Sequence, residues 1–265
     1  MNYNHFCSYK SNIVLHYIKH NMSNKTAETF IYDTSNDKKD KVLHPVKYYV
    51  KFSFVMTYIL LMTTATITFI EALRTPNPQV RHVLNLETCI SLVAGYFYSV
   101  FTNKIEEYGK ENKPIDWADI TKTRYIDWSI TTPLMLLTLC IVLGMESKVP
   151  TTLSVYSLIV LLNYIMLYTG YLGEIQWLTR LTACIIGFIA FFLMFGIIFV
   201  IFVKPKMSRA NLFLYSIYLC VWSVYGIAFL FNEEYKNIIM NILDFIAKCF
   251  IGIGLWAYYT KTIHI

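Results

Sequence analysis

Four ionisable residues lie inside stretches of sequence that are otherwise almost entirely apolar. Arg124 and Asp127 are three residues apart in one stretch, and Asp244 and Lys248 are four residues apart in another. Both spacings put the two members of a pair on one face of a helix. Their formal charges sum to zero, as a buried cluster requires. If the two stretches are neighbours, two carboxylates flank one lysine. Ionisable residues within an apolar span indicate a functional site by default.

The lysine in this cluster suits one particular reaction. Desolvation favours the neutral amine of Lys248, a nucleophile that condenses with an aldehyde to form a Schiff base. Once protonated, that Schiff base needs carboxylates as counter-ions, and Asp127 and Asp244 are available. The alternative is a structural ion-pair network that only joins two helices.

The composition is that of a membrane protein. Of the 265 residues, 56% are hydrophobic and only 15% are charged, whereas a soluble domain has about 25% charged residues. The net charge is +6 and the basic residues are scattered, which argues against disordered, collagen-like and nucleic-acid-binding chains. Five of the six cysteines lie in apolar stretches, and their spacing fits neither a disulfide framework nor a metal site.

Seven stretches are long and apolar enough to cross a bilayer as helices. They are residues 52–70, 82–103, 124–145, 149–173, 181–203, 210–232 and 237–260. The sequence therefore predicts an all-α, multi-pass integral membrane protein, a bundle of seven transmembrane helices. The charged connection at 104–120 is long enough for a hairpin or a short strand pair.

The first 46 residues differ from the rest of the chain. They are polar, rich in Asn and Lys, and lack the long apolar core of a signal peptide. Two N-x-S/T triplets, at Asn21 and Asn24, matter only if this tail meets a glycosylating lumen. We expect a polar tail at 1–46 on the extracellular side, followed by a seven-helix domain at 47–262. The distribution of basic residues alone does not settle the orientation.

Four short motifs occur in order and in register with the predicted spans. They are RYIDW at 124–128 with TTPL at 131–134, MLYTGYLGE at 166–174, WSVY at 222–225, and DFIAK at 244–248. Together they resemble the microbial (type 1) rhodopsins, in particular the proteorhodopsin-like branch, over residues 48–260. The Asn/Lys/Ile/Tyr bias suggests an AT-rich genome, as in the rhodopsins of giant viruses.

The resemblance implies a cofactor and a role for each residue of the charge cluster. All-trans retinal would be bound to Lys248 as a protonated Schiff base. Asp127 would be the primary counter-ion and proton acceptor, with Thr131 hydrogen-bonded to it, and Asp244 the second counter-ion. Arg124 would steer the released proton on the extracellular side.

The resemblance also implies a retinal pocket. Its expected members are Trp128, Thr132, Met135, Met166, Thr169, Gly170, Trp222 and Tyr225. Tyr225 would reach Asp244, and Asn163 would link the fourth helix to the third through Thr132.

One position departs from the pattern of efficient proton pumps. Thr138 lies on the Asp127 face, roughly 16 Å further along the helix, where pumps usually have an acid that returns a proton to the Schiff base. A threonine has no acidic proton. We therefore expect the proton to return slowly from bulk solvent, more slowly as pH rises. If the return is fast instead, Glu87 is the first candidate for an internal donor.

The expected function is a retinal-binding photoreceptor that moves ions across a membrane, as an outward proton pump. The alternatives are a light-gated cation channel, favoured by the missing acid and by Glu87, Asn163 and Asn241 in the spans, and a sensory photoreceptor acting through a partner. We expect membrane lipids and protons or small cations as partners, and neither nucleic acid, a metal nor an enzymatic reaction. The expected location is the plasma membrane of a host cell. A homo-oligomer is compatible with the sequence, which does not determine the oligomeric state.

Overall fold

The computed structural model describes residues 45–110 and 114–262. By its contacts, Val50–Ile265 forms one unit. The predicted tail is almost wholly outside the described residues, and so are the triplets at Asn21 and Asn24. The boundary predicted between tail and helical domain stays a prediction.

The described residues form helices and no strands. The α-helices are α1 (Pro45–Arg74), α2 (Pro78–Lys110), α3 (Trp117–Ser147), α4 (Leu153–Glu174), α5 (Arg180–Ile198), α6 (Arg209–Ala228), α7 (Glu233–Asp244) and α8 (Ile251–Tyr259). Two π-helical segments extend them: Phe199–Val203 continues α5, and Phe245–Phe250 joins α7 to α8 into one rod. Seven rods result, each long and apolar enough to cross a membrane, which confirms the predicted seven-helix architecture.

Two helix boundaries differ from the prediction for identifiable reasons. The third helix begins at Trp117, seven residues before the predicted 124, because the Asp116 side chain caps it by accepting a hydrogen bond from the Asp119 N–H at 3.1 Å. The fourth helix begins at Leu153 rather than at 149, because Lys148 ends α3 in a left-handed conformation at φ 57°. Since α2 runs to Lys110 and α3 starts at Trp117, the hairpin or strand pair suggested for 104–120 is wrong for the described part of that connection.

The outside of the bundle is apolar and much of its polar content is inside. Large side chains such as Leu161, Ile189 and Phe192 are more than half exposed. Arg124, Asp127, Asp244 and Lys248 are at most 2% exposed, although they carry charge. This inversion is expected where lipid is the solvent, because ionisable groups in a membrane span face the bundle interior.

The segment around Lys248 is π-helical rather than α-helical. The widened turn covers Phe245–Phe250 and follows directly after Asp244. Single π turns within α-helices occur frequently at functional sites. The turn therefore sets the direction in which the Lys248 side chain leaves the last helical rod.

Candidate functional site

The four charged residues singled out in the sequence form one buried cluster. Lys248 Nζ lies 2.9 Å from Asp127 Oδ2 and 3.6 Å from Asp244 Oδ2. The α3 and α7 rods are thus brought together at these side chains, and two carboxylates flank one lysine as expected. The two carboxylates compensate the positive charge of a protonated lysine, and they would do the same for a protonated Schiff base.

Arg124 does not pair with its helical neighbour Asp127 but with the last helical rod. Its Nη1 lies 3.5 Å from Asp244 Oδ2, and its Nη2 donates hydrogen bonds to Asn237 Oδ1 at 3.0 Å and Asn241 Oδ1 at 2.8 Å. Nη1 also donates to the Tyr98 hydroxyl at 3.3 Å. These contacts fix the guanidinium to one side of the carboxylate pair.

Aromatic rings complete the surroundings of Arg124. Its guanidinium carbon lies 5.3 Å from the ring centre of Phe54 and 5.1 Å from that of Phe101, within the range of cation–π attraction. Sequence reasoning missed these two rings, and it missed the arginine partners Tyr98 and Asn237. The only signal was spacing, since Asn237 and Asn241 precede Asp244 on the same face, each about one turn apart.

The two carboxylates have different hydrogen-bond environments. Asp244 accepts from the Tyr98 hydroxyl at 2.7 Å on Oδ2 and from the Tyr225 hydroxyl at 2.6 Å on Oδ1, as expected for Tyr225. Asp127 accepts from Lys248 on Oδ2, while its Oδ1 has no hydrogen-bond partner among the residues described. Asp244 therefore accepts two tyrosine hydrogen bonds and also faces Arg124 and Lys248, whereas Asp127 keeps one oxygen without a described partner.

Thr131 makes the expected hydrogen bond to Asp127. Its hydroxyl donates to the backbone carbonyl of Asp127 at 2.9 Å. A threonine inside a helix commonly bonds the carbonyl four residues earlier, and this accounts for the choice of acceptor. The bond leaves the Asp127 side chain free on its Oδ1 side.

A cavity opens next to the charge cluster. Its lining residues are Tyr125, Trp128, Thr132, Met135, Met166, Leu167, Gly170, Ala183, Cys184, Gly187, Phe188, Phe191, Trp222, Tyr225, Gly226, Phe229, Met240, Asp244 and Lys248. Every residue expected in the pocket is among them except Thr169, whose hydroxyl donates instead to the carbonyls of Ile165 and Met166 on its own helix. The contribution of α5 was missed, because no motif marks that helix.

Two glycines make room for aromatic walls of the cavity. A Cβ at Gly170 would lie 2.7 Å from the Tyr125 hydroxyl, and a Cβ at Gly226 would lie 2.5 Å from Phe188 Cζ. Both approaches are closer than real side-chain contacts. Without a side chain at these positions, α4 and α6 admit the rings of Tyr125 and Phe188.

The expected link between the third and fourth helices is present. Asn163 Nδ2 donates to Thr132 Oγ1 at 2.8 Å, and Thr132 Oγ1 donates to the Trp128 carbonyl at 2.7 Å. Asn163 is fully buried and Thr132 is 8% exposed. The bond fixes Thr132, one of the cavity residues, against α4.

Thr138 does not line the cavity. It is fully buried on α3, with its hydroxyl beside the carboxyl group of Glu87 on α2. Glu87 is 1% exposed. Thr138 is therefore not an acid itself, but it lies next to one, Glu87, on the neighbouring helix α2.

Comparisons with known proteins agree with the geometry. The family model described as "Bacteriorhodopsin-like protein" matches residues 49–262. The crystal structure of the viral rhodopsin OLPVRII is 40% identical, covers 81% of this chain and 99% of its own, and superposes with a TM-score of 0.75. A blue light-absorbing proteorhodopsin from Med12, 21% identical, covers 81% of this chain and 98% of its own at a TM-score of 0.63, a likeness of fold.

Similarity also extends to a fungal sequence. The opsin-like protein carO of Fusarium fujikuroi is 26% identical over an alignment of 221 residues, and the match covers 74% of this chain and 70% of that protein. The match to the family model spans all seven rods, and the viral rhodopsin covers four fifths of the chain. This chain belongs to the bacteriorhodopsin-like family, the microbial rhodopsins, and is an integral multi-pass membrane protein.

Proposed function

We propose that the protein is a light-driven outward proton pump that binds all-trans retinal covalently through Lys248 Nζ. The observation that carries the proposal is the 2.9 Å contact between Lys248 Nζ and an Asp127 carboxylate whose other oxygen has no partner. A donor and an acceptor at hydrogen-bond distance meet the geometric condition for proton transfer. Family membership supports a retinal cofactor.

The residues of the cavity fit this cofactor. Lys248 supplies the amine for an aldehyde, and Trp128, Trp222 and Phe188 supply flat apolar surfaces for a polyene. When bound, retinal supplies light absorption and a change of shape at the Lys248 nitrogen. The protein supplies a fixed position for that nitrogen between two carboxylates.

The hydrogen bonds indicate different roles for the two carboxylates. Asp244 is saturated by Tyr98, Tyr225 and Arg124, so it keeps its charge and its place. Asp127 accepts from Lys248 and has a free oxygen, so it is the group that takes the proton. Thr131 leaves this oxygen free, because it bonds the Asp127 backbone.

We assign the direction of transport by the side of the lysine on which Arg124 lies. Along α3, Arg124 lies one turn before Asp127, and Thr138 lies about three turns after it. A proton held by Asp127 leaves past Arg124 and its partners Asn237 and Asn241, the side we assign to the extracellular space. In this orientation the protein acts in the plasma membrane of a host cell, exporting protons.

A light-gated cation channel is the second candidate. The observation that favours it is a set of buried polar side chains beyond the lysine, namely Glu87, Ser91, Thr138 and Tyr218, all at most 2% exposed. Polar groups inside a membrane span often mark an ion pathway. A sensory photoreceptor would use the same retinal site and move no ions.

A photocurrent–voltage curve separates these functions. The protein is expressed in cells supplied with retinal, and whole-cell current is recorded under light with the same solution on both sides. A pump gives outward current at zero voltage, and Asp127→Asn abolishes that current while Thr169→Val, outside the cavity, keeps it. A current that reverses at the equilibrium potential of a cation would establish a channel, and no current at any voltage would favour a sensor.

A further inference from the structure

Asn241 is a fully buried amide beside the charge cluster, and it contacts three other helices. Its Oδ1 accepts a hydrogen bond from Arg124 Nη2 of α3 at 2.8 Å and another from the Tyr98 hydroxyl of α2 at 3.1 Å. Its Nδ2 donates to Ser53 Oγ of α1 at 2.8 Å. Both ends of the amide are therefore tied to helices other than its own.

These partners fix the direction in which the amide faces. The Ser53 hydroxyl donates to the Val50 carbonyl at 2.7 Å, so its oxygen is available to accept from the Asn241 Nδ2. With the amide reversed, Nδ2 would face the N–H groups of Arg124, which donate and cannot accept. The contact with α1 thus keeps the amide oxygen against the guanidinium.

A second asparagine binds the same guanidinium nitrogen but is anchored differently. Asn237 Oδ1 accepts from Arg124 Nη2 at 3.0 Å, and its Nδ2 donates to the Glu233 carbonyl of its own helix at 2.8 Å. The Asn241 amide is instead anchored across the bundle. Asn241 therefore ties the position of Arg124 to α1 and α2 as well as to the last rod.

Arg124 has two carboxylates within electrostatic range and contacts one of them. Asp127 lies one turn along its own helix, and Asp244 lies on the last rod. Arg124 Nη1 is 3.5 Å from Asp244 Oδ2, whereas no ion pair joins it to Asp127 within 45–110 and 114–262. Because Asn241 is one turn before Asp244 on the same face, its oxygen draws the guanidinium to that carboxylate.

The choice of carboxylate decides how well charge is balanced after proton transfer. With Arg124 at Asp244, transfer of a proton from Lys248 to Asp127 leaves only a neutral pair in contact. With Arg124 at Asp127, the same transfer would leave the guanidinium beside a neutral acid and apart from the remaining carboxylate. An uncompensated buried charge is strongly destabilising, so the observed arrangement favours Asp127 as the acceptor.

The guanidinium is surrounded by few groups that can change charge. Those in electrostatic contact with it are Asp244 and Lys248 from the last rod, Tyr98 from α2, and Asp127 from α3. The α1 helix presents the Phe54 ring, which does not titrate. The position of Arg124 therefore acts mainly on the two aspartates.

We propose that Asn241 is a positioning residue that holds Arg124 on Asp244. Asp127 is thereby left as the group that takes the proton of Lys248. In that step an N–H bond at Lys248 breaks and an O–H bond forms at Asp127. This inference rests on the proposed pump function, because it concerns the first proton transfer of the pump.

Visible absorption of the retinal-loaded protein in the dark, titrated between about pH 4 and pH 9, tests the hold on Arg124. The band shifts when Asp127 takes a proton, because the positive charge at Lys248 then loses a counter-ion. In Asn241→Leu the released guanidinium can approach Asp127 and favours its charged form, so the midpoint should fall by about one pH unit or more. Asn241→Ser, whose hydroxyl is too short to replace Oδ1, should give the same shift and serves if the leucine variant is colourless.

Two variants separate positioning from a merely structural role. Thr57→Val removes a 3.3 Å hydrogen bond from α1 to the Asn241 backbone carbonyl and leaves the amide untouched, so the midpoint should equal that of wild type. Asn241→Asp keeps an acceptor oxygen for Arg124, so the midpoint should not fall. A fall in either variant as large as that in Asn241→Leu would overturn the proposal.

Flash photolysis tests the consequence for the light-driven step. Loss of the proton at Lys248 should be slower in Asn241→Leu by about tenfold or more, because the guanidinium beside Asp127 opposes its protonation. Thr57→Val should keep the wild-type rate. An unchanged rate in Asn241→Leu contradicts the proposal.

The outcomes distinguish this inference from the pump. An unchanged or raised midpoint in Asn241→Leu overturns the role of Asn241, even if the wild type pumps. Absence of any light-driven proton loss at Lys248 in the wild type also overturns it. A current that reverses like that of a channel, with the midpoint and the rate changed as expected, removes the pump and keeps the role of Asn241.

Discussion

Breaking the ion pair between Asp127 and Lys248 should cost several kcal/mol of stability, and removing both partners should restore most of it. The pair is buried, with 0% and 1% of the side chains exposed and 2.9 Å between Oδ2 and Nζ. At an effective dielectric constant of about 20, two unit charges at this distance attract by about 6 kcal/mol. Loss of one partner of such a pair typically destabilises a protein by about 3–5 kcal/mol.

The cluster also predicts how the two single variants differ from the double variant. Asp127→Asn leaves Arg124 and Lys248 facing one carboxylate, Asp244, so one positive charge is uncompensated. Lys248→Met leaves one negative charge uncompensated. Asp127→Asn/Lys248→Met leaves the Arg124–Asp244 pair at 3.5 Å, which is neutral. We expect each single variant to lose about 3–5 kcal/mol and the double variant to lose less than about 2 kcal/mol.

The measurement is unfolding of the retinal-free protein in detergent, followed by helical circular dichroism, so that all variants are compared without a cofactor. Asp127→Glu is the control that keeps the charge. A coupling energy of about 4 kcal/mol or more between the two sites is the expected result. Additive losses in the double variant would show that the two side chains do not stabilise each other, and would refute the pairing.

Three further changes test the cavity and the second carboxylate. With apolar Met135 in the lining, we expect green absorption, and Met135→Gln should move the maximum to shorter wavelength; a blue maximum in wild type would contradict this. Gly226→Ala should lower the ratio of visible to protein absorbance, because the added Cβ would lie 2.5 Å from Phe188 Cζ and the ring would have to move. Normal retinal uptake by this variant would contradict the placement of Phe188 in the cavity lining. Tyr225→Phe removes the 2.6 Å bond to Asp244 and should lower the free energy of unfolding by about 1.5–3 kcal/mol, measured by denaturant titration.

The sequence predicted those parts of the site that depend on spacing along one helix. The pairs Arg124/Asp127 and Asp244/Lys248, the seven spans and most of the pocket come from helical periodicity and from motifs in register. Bonds between helices were predictable only where a motif implied them, as for Asn163 with Thr132.

The contacts between helices that the sequence did not predict depend on how the helices are rotated against each other. Tyr98 and Phe101 meet Arg124 because α2 turns that face inward, and nothing in the spacing of α2 distinguishes those rings from packing residues. The Thr131 hydroxyl bonds the backbone carbonyl of Asp127, an acceptor that lies within the same helix. The expectation of proton return from bulk solvent stays a prediction, and the proximity of Glu87 to Thr138 is a contact between helices that spacing along α3 does not reveal.

Identification of the lysine that carries retinal tests the central claim most directly. Two lysines, Lys236 and Lys248, are 1% exposed in the described part of the chain, but Lys236 is paired with Glu174 and Glu233 and does not line the cavity. After reduction with borohydride and proteolysis, mass spectrometry should find the retinyl group on the peptide with Lys248, and Lys248→Ala should be colourless. Retinyl on Lys236, or a visible band in Lys248→Ala without added amine, would contradict the account.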